Sequence, residues 1–97
     1  METIELTFAN PNNPALGGVA NGREAYDKQV RPRVSRETLK GELCIRFPKR
    51  ISIIGNSFIR GFARPMIDQI GLDGVRSRVH FVTSREELTA ELYEGLL

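Results

Sequence analysis

The stretch ISIIGNSFIRGF (residues 51–62) joins a short apolar run to the start of the most regular helical pattern in the chain. From Phe58 onward, large apolar side chains recur every four residues, as on the buried face of a helix. They are Phe58, Phe62, Met66 and Ile70. Just before them lie Asn56 and Ser57, whose side chains can accept hydrogen bonds from the free N–H groups of a first helical turn. The junction therefore predicts either a local helix cap or a recognition or phosphoacceptor site at a helix N-terminus.

The helix after this junction contains Pro65 and is followed by Gly71. Because the apolar spacing continues past the proline, we expect a bend at Pro65 and an end at Gly71. Residues 78–82 then predict a strand, and a last helix is predicted to begin with a capping box from Ser84 to Glu87. Three leucines four residues apart predict its buried stripe: Leu88, Leu92 and Leu96.

The N-terminal part of the chain predicts a strand, a loop and a helix in that order. Apolar residues alternate with polar ones at Ile4, Leu6 and Phe8, which is the period of a half-buried strand. Residues 9–20 are rich in proline, asparagine and glycine, and predict a loop or an extra strand. Asn21, with Glu24 three residues later, predicts the cap of the first helix.

Pro32 predicts a kink or break in that first helix, and Ser35 predicts the start of a short helix that Gly41 terminates. Residues 42–47 are largely apolar on both faces, apart from Arg46, and predict a strand in the interior of a sheet. The order is β-α-β-α-β-α, which predicts one α/β domain spanning residues 1–97. We expect a mixed sheet with its helices packed mainly on one face.

Length and composition limit the function. The 97 residues leave room for one domain, and no apolar run approaches the roughly 18 residues of a membrane span. The N-terminus lacks the features of a signal peptide, so we expect a cytoplasmic protein with no membrane partner. Cys44 and His80 are the only residues of their types, which argues against a disulfide within the chain and a structural zinc site. We expect a buried, unreactive Cys44 and no cofactor.

The net charge of +2 is unevenly distributed along the chain. Ten basic residues and two acids lie between Lys28 and Arg64, whereas the last twelve residues contain four glutamates and no base. One alternative function is therefore a small nucleic-acid-binding regulator that uses a basic Lys28–Arg64 face. The candidate contacts to an anionic partner are Arg31, Arg33, Arg36, Lys49, Arg50 and Arg64.

Three glycines precede and enter the first helix: Gly17, Gly18 and Gly22. Their spacing matches neither the P-loop nor the dinucleotide fingerprint, so backbone freedom is the simpler explanation. An enzyme or a small-ligand binder that uses this glycine loop is a third alternative.

Residues 41–92, GELCIRFPKRISIIGNSFIRGFARPMIDQIGLDGVRSRVHFVTSREELTAEL, resemble the STAS-like domain family, which is related to the anti-sigma-factor antagonists. The shared pattern consists of a glutamate, an apolar strand ending in phenylalanine, an apolar segment, a Ser-Phe pair, a glycine, a strand and an amphipathic helix. In this chain these are Glu42, Leu43 to Phe47, Ile51 to Ile54, Ser57 with Phe58, Gly71, Val79 to Val82, and Leu88 onward. Residues 22–34 are similar to the family's first helix, so the resemblance covers most of the chain.

The resemblance implies a bacterial regulatory domain without catalytic residues, and therefore not an enzyme. It implies binding to a protein partner, typically a serine kinase of the histidine-kinase-like ATPase fold, through the surface at the start of the second main helix. Relatives have an Asp-Ser-Ser or Asp-Ser-Thr run there and are switched by phosphorylation, whereas this chain has Gly55, Asn56 and Ser57. The resemblance thus implies partner binding by these three residues and Arg60, with Ser57 as the candidate phosphoacceptor. We expect a monomer or a weak homodimer.

Overall fold

The computed structural model describes residues 1–9 and 12–96, along which strands and helices alternate. In chain order the elements are β1 (Glu2–Glu5), β2 (Ala15–Leu16), α1 (Val19–Ala25), α2 (Arg36–Lys40), β3 (Leu43–Arg46), β4 (Ile53–Ile54), α3 (Asn56–Arg78), β5 (Val79–Val82) and α4 (Glu86–Glu94). The predicted α/β class is confirmed. No helix in the described ranges is both long enough and apolar enough to cross a membrane.

The main sheet contains β1, β3 and β5, with β3 in the centre. Ile4, Ile45 and Phe81 are directly opposite one another across the three strands. The strands β2 and β4 form a separate two-stranded sheet. Every pairing in the described part of the chain is parallel, so the prediction of a mixed sheet is wrong. The main strands run parallel because helical crossovers connect them rather than tight hairpin turns.

One face of the main sheet forms the core. Ile45 and Phe81 are buried on this face, whereas Val82 points to the other face and is 42% exposed. The ring of Phe62 on α3 lies over the buried face, with its centroid 5.9 Å from that of Phe47 and 6.5 Å from that of Phe81. The contact fixes α3, and with it the junction at its start, against the sheet.

The first helix begins two residues before Asn21, so the predicted cap is wrong. Asn21 instead donates a side-chain N–H to the carbonyl oxygen of Gly17 at 2.9 Å. The chain then widens into a π-helical turn, Tyr26–Val30, followed by a 3₁₀ turn, Arg31–Arg33. Pro32 has no N–H to donate, and its ring crowds the carbonyl four residues earlier. The wider π-helical turn accommodates the proline at the point where the sequence predicted a kink or break.

The short helix predicted from Ser35 to Gly41 is confirmed as α2. The Ser35 hydroxyl accepts a hydrogen bond from the N–H of Thr38 at 3.2 Å, and the Thr38 hydroxyl accepts one from the N–H of Ser35 at 3.2 Å. These two bonds form a reciprocal capping box within four residues.

The long helix α3 contains Pro65 and is interrupted at Gly71. Helical backbone angles continue through Pro65, and only Gly71 departs from them, with φ 76° and ψ 165°. A positive φ favours glycine, which has no Cβ atom to clash with its own backbone. The predicted end at Gly71 is therefore correct for the first segment, but a second helical segment follows and runs to Arg78.

The last helix does not use the capping box predicted from Ser84. Arg85 precedes the first helical residue, and its side chain makes no capping bond. The Ser84 hydroxyl instead donates to the carbonyl oxygen of Ile51 at 3.1 Å. The predicted leucine stripe is confirmed, because all three side chains are at most 6% exposed: Leu88, Leu92 and Leu96.

Helices α1 and α3 cross in direct backbone contact at Gly22 and Gly61. A Cβ atom on Gly22 would overlap the carbonyl oxygen of Phe58, and a Cβ atom on Gly61 would overlap that of Val19. Any larger residue at either position would push the two helices apart. The crossing therefore brings the start of α1 next to the start of α3.

Side chains satisfy backbone groups at both edges of the main sheet. The Tyr93 hydroxyl donates to the carbonyl of Val79 at 2.6 Å and accepts from the N–H of Phe81 at 3.0 Å. Burial raises the pKa of this hydroxyl. Just beyond β1, the amide of Gln29 accepts from the N–H of Thr7 and donates to its carbonyl, both at 2.8 Å. These side chains occupy groups that another strand would otherwise pair with.

Candidate functional site

The first turn of α3 carries the residues that the sequence singled out. Gly55 precedes the helix in an extended conformation, and no side chain caps the helix start. The hydroxyl oxygen of Ser57 accepts a hydrogen bond from the N–H of Gly18 at 3.1 Å, across 39 positions of sequence. The local-cap interpretation of Asn56 and Ser57 is therefore wrong. We call this hydrogen bond the Ser57–Gly18 latch.

Two features bring the members of the latch together. The N–H of Gly55 donates to the carbonyl of Leu16 at 2.8 Å, which extends the β2–β4 pairing up to the helix starts. Gly18 then turns the chain from β2 into α1 with φ 88°, a value that favours glycine. The glycine crossing of α1 and α3 follows one turn later, so the latch is held by the fold on both sides.

An exposed patch surrounds the latch. Three of the four predicted partner-binding residues are exposed: Asn56, Ser57 and Arg60. The fourth, Gly55, is half-buried. Two large apolar side chains on the adjoining segments are also exposed: Val19 by 56% and Ile53 by 59%. Within the described residues no carboxylate pairs with Arg60. Apolar side chains beside polar groups and an unpaired arginine are typical of protein-binding surfaces.

The six cations of the nucleic-acid alternative lie on several separate elements and are partly neutralised. Three of them form ion pairs, at 2.8, 3.3 and 3.1 Å respectively: Arg31 with Asp27, Arg33 with Glu2, and Arg64 with Asp68. Arg50 is half-buried and donates to the carbonyl of Phe8 at 2.7 Å. Arg36 and Lys49 are exposed and make no ion pair with a described residue. The basic stretch of sequence therefore presents far less free positive charge than its composition indicates.

Cys44 and His80 lie opposite each other on neighbouring strands of the main sheet. Cys44 is buried, as predicted. Nε2 of His80 is 3.1 Å from Oε1 of Glu42, and both side chains are partly exposed. In the ranges 1–9 and 12–96, no three His, Cys, Asp or Glu side chains come together as metal ligands would.

A cavity of about 390 Å³ lies next to the latch, between the end of β1, the strand β2 and the helix α1. We call it the β1–α1 cavity. The large apolar residues of its lining lie far apart along the chain: Phe8, Leu16, Ile51 and Phe58. Asn13 and Asn21 contribute polar groups. The sequence analysis placed its third alternative at the glycine loop, and Gly17 of that loop is part of the lining. Nothing in the sequence indicated the other segments that line the cavity.

No family model, no curated protein and no solved structure matches this chain. Function is therefore argued from the geometry and chemistry of the site.

Proposed function

We propose that this chain is a non-enzymatic regulatory module of STAS-like type that binds a protein partner through Gly55, Asn56, Ser57 and Arg60. Phosphorylation of Ser57 regulates this binding. The observation that carries the proposal is the Ser57–Gly18 latch. An exposed hydroxyl in the first turn of α3 also holds the start of α1, so a chemical change at Ser57 alters both helix starts and the surface between them.

The chemistry of the helix start suits a phosphate. Phosphorylation would add about −1.5 to −2 charges to Ser57, where the free N–H groups and the dipole of α3 favour negative charge. Arg60 lies three residues further on, within reach on the same side of the helix, and has no competing acid among the described residues. The phosphate would neutralise this arginine, and the patch would change from positive to negative while the fold is retained.

The patch also restricts the kind of partner. Val19 and Ile53 offer exposed apolar surface, and the free guanidinium of Arg60 favours a partner with acidic groups. Side chains already satisfy backbone groups at both edges of the main sheet, which favours docking at the helix starts over addition of a strand. A serine kinase of the histidine-kinase-like ATPase fold is the partner that the family resemblance implies.

The nucleic-acid alternative has weaker support. Half of its six candidate cations are ion-paired within the chain, which lowers the number of counterions that binding could release. A mobility shift that fell steeply between low and moderate salt would favour it over the protein partner.

The test compares Ser57→Ala and Ser57→Asp with a matched pair, Ser77→Ala and Ser77→Asp. Ser77 is an exposed serine near the other end of α3. The same two substitutions at Ser77 therefore make the same chemical change at a site outside the patch. Protein purified from its native cells is analysed by intact and peptide mass spectrometry, and the affinity of the co-purifying partner is then measured.

We expect one phosphate on Ser57 and none on Ser57→Ala. Ser57→Asp should weaken the partner's binding about tenfold or more, whereas its Tm stays within about 3 °C of the wild type. The proposal fails if Ser57 is unmodified, or if Ser57→Asp and Ser77→Asp bind the partner equally well. A large loss of stability without an effect on binding would assign Ser57 a purely structural role.

A further inference from the structure

The β1–α1 cavity has the size and position of a small-molecule site. Its volume of about 390 Å³ lies within the range of known ligand pockets, about 300 to 1,000 Å³. It lies beyond the carboxyl end of β1, and parallel α/β folds bind ligands at the carboxyl ends of their strands. Neither the protein-partner proposal nor the phosphorylation of Ser57 requires this cavity.

The apolar part of the cavity suits a flat ring. Phe8 is half-buried, and its ring meets that of Phe58 edge to face, with centroids 6.2 Å apart. Leu16 and Ile51 complete the apolar lining. A planar ligand could therefore cover the exposed side of Phe8 in an arrangement that aromatic groups prefer.

Two asparagines in the lining each use one half of their amide within the protein. Oδ1 of Asn13 accepts from the N–H of Ala15 at 3.0 Å, which leaves its NH₂ group as a donor. Nδ2 of Asn21 donates to the carbonyl of Gly17 at 2.9 Å, which leaves its Oδ1 as an acceptor. One donor and one acceptor therefore have no partner among the described residues, and they complement the carbonyl and N–H of an amide edge.

The two charged residues that line the cavity give it no net charge that would attract an ionic ligand. Glu24 and Lys28 both line it, and they pair with each other at 2.9 Å. Because these charges cancel, no net charge favours a phosphate or a carboxylate. We propose that the β1–α1 cavity binds a small, uncharged, planar molecule that carries an amide edge.

The test uses benzamide as the probe and two ring compounds of similar size as comparisons. Toluene lacks the amide, and benzoate replaces it with a charged carboxylate. Two-dimensional ¹H–¹⁵N NMR titrations of the whole chain should show saturable shifts for Leu16, Gly17 and Asn21 with benzamide, with a Kd of about 1 mM, as expected for so small a ligand. Toluene and benzoate should bind at least about fivefold more weakly.

A matched pair of variants tests the role of Asn13. Asn13→Asp keeps the oxygen that accepts from Ala15 but replaces the NH₂ donor with a charged acceptor, whereas Gln69→Glu makes the same amide-to-carboxylate change at an exposed position outside the cavity lining. We expect Asn13→Asp to weaken benzamide binding about tenfold or more and Gln69→Glu to change it less than about twofold.

Several results would overturn the inference. Benzamide shifts that avoid the cavity residues, equal binding of benzamide and toluene or of benzamide and benzoate, or unchanged binding to Asn13→Asp would each do so. If Asn13→Asp does not fold, intermolecular NOEs in the wild type decide the question. Contacts from the benzamide ring to the Phe8 side chain support the site, and their absence refutes it.

Discussion

A serine stands at the start of both α2 and α3, but the two hydroxyls do different things. Ser35 bonds the N–H of Thr38, three residues away, and so caps its own helix. Ser57 leaves its helix uncapped and bonds the N–H of Gly18, 39 residues away. The first serine stabilises a local turn, whereas the second connects two helices. Ser35 is the N-cap that precedes α2, whereas Ser57 is the second residue of α3, after the N-cap Gly55. A serine at a helix start can therefore be structural in one place and part of a surface in the other.

The difference follows from what surrounds each helix start. Among the described residues, the Ser35 hydroxyl has only the N–H and the hydroxyl of Thr38 as partners. The start of α3 is pressed against the start of α1 by the crossing at Gly22 and Gly61, so a second backbone lies within reach of Ser57. If this explanation is correct, separating the helices should abolish the latch and leave the local cap intact.

Gly61→Ala should have the largest effect, because its new Cβ atom would overlap the carbonyl oxygen of Val19. We expect a loss of about 3 kcal/mol or more in the free energy of unfolding, measured by urea denaturation. Gly17→Ala is the matched control, since a Cβ atom there meets nothing within 4 Å, and it should change stability by less than about 0.5 kcal/mol. Equal stabilities of the two variants would mean that the helices do not cross at this glycine.

Ser35→Ala should have an intermediate effect. It removes the local capping bond of a helix only five residues long, and we expect a loss of about 1 kcal/mol. Hydrogen exchange should locate the change, with faster exchange at the N–H of Thr38 and unchanged exchange at that of Gly18. An effect that spread equally to Gly18 would contradict the view that this cap acts locally.

Ser57→Ala should cost less than about 1 kcal/mol, because the lost bond is exposed and water can replace the hydroxyl. Its signature is the position of the change. Exchange at Gly18 should become faster while exchange at Thr38 stays as in the wild type, the reverse of Ser35→Ala. If Gly18 exchanges at the wild-type rate in Ser57→Ala, the latch does not protect that N–H group in solution.

The same contrast explains which elements could be predicted from the sequence. The capping box at Ser35 depends on residues a few positions apart, as do the apolar spacing of α3 and the leucine stripe of α4. Local rules therefore sufficed for them. Asn21 lies inside α1 rather than before it, and its amide bonds Gly17, four residues back. Ser84 fits the same local rules, yet its hydroxyl bonds Ile51, 33 residues away, instead of capping α4. Contacts made by the folded chain took precedence over the local pattern.

Features formed between distant segments could not be predicted from the sequence. Gly22 and Gly61 each look unfavourable inside a helical pattern, and only the fold explains them as a backbone contact. The β1–α1 cavity likewise combines residues from separate segments, of which the glycine loop alone drew attention. The sequence indicated the residues of the patch through Asn56 and Ser57, but it gave no sign of the partner at Gly18.

The smallest expected effect on stability comes from the ion pairs of Asp27, in the helical region that follows Gly18. Oδ1 of Asp27 accepts hydrogen bonds from Arg31 at 2.8 Å and from Arg23 at 3.3 Å. The bond from Arg31 contributes most to holding the pKa of this carboxyl below its ordinary value. A carboxyl with a lowered pKa in the folded state stabilises the fold above its unfolded pKa, and this contribution is lost as the pH falls through the folded pKa.

Asp27→Asn should therefore be slightly less stable than the wild type at pH 7, and the difference should disappear as the pH falls below about 4. Thermal unfolding from pH 7 down to pH 2 measures the difference, and Asp73→Asn, at an exposed acid without an ion pair to a described residue, is the control. A difference that stays constant with pH would contradict the role of the ionised carboxylate. The exchange rate of Gly18, corrected for the intrinsic effect of pH, should not follow this titration, because the latch joins a hydroxyl to a backbone N–H and contains no titrating group. The ion pair of Asp27 with Arg31 should thus weaken in acid, whereas the latch should not change with the titration of Asp27.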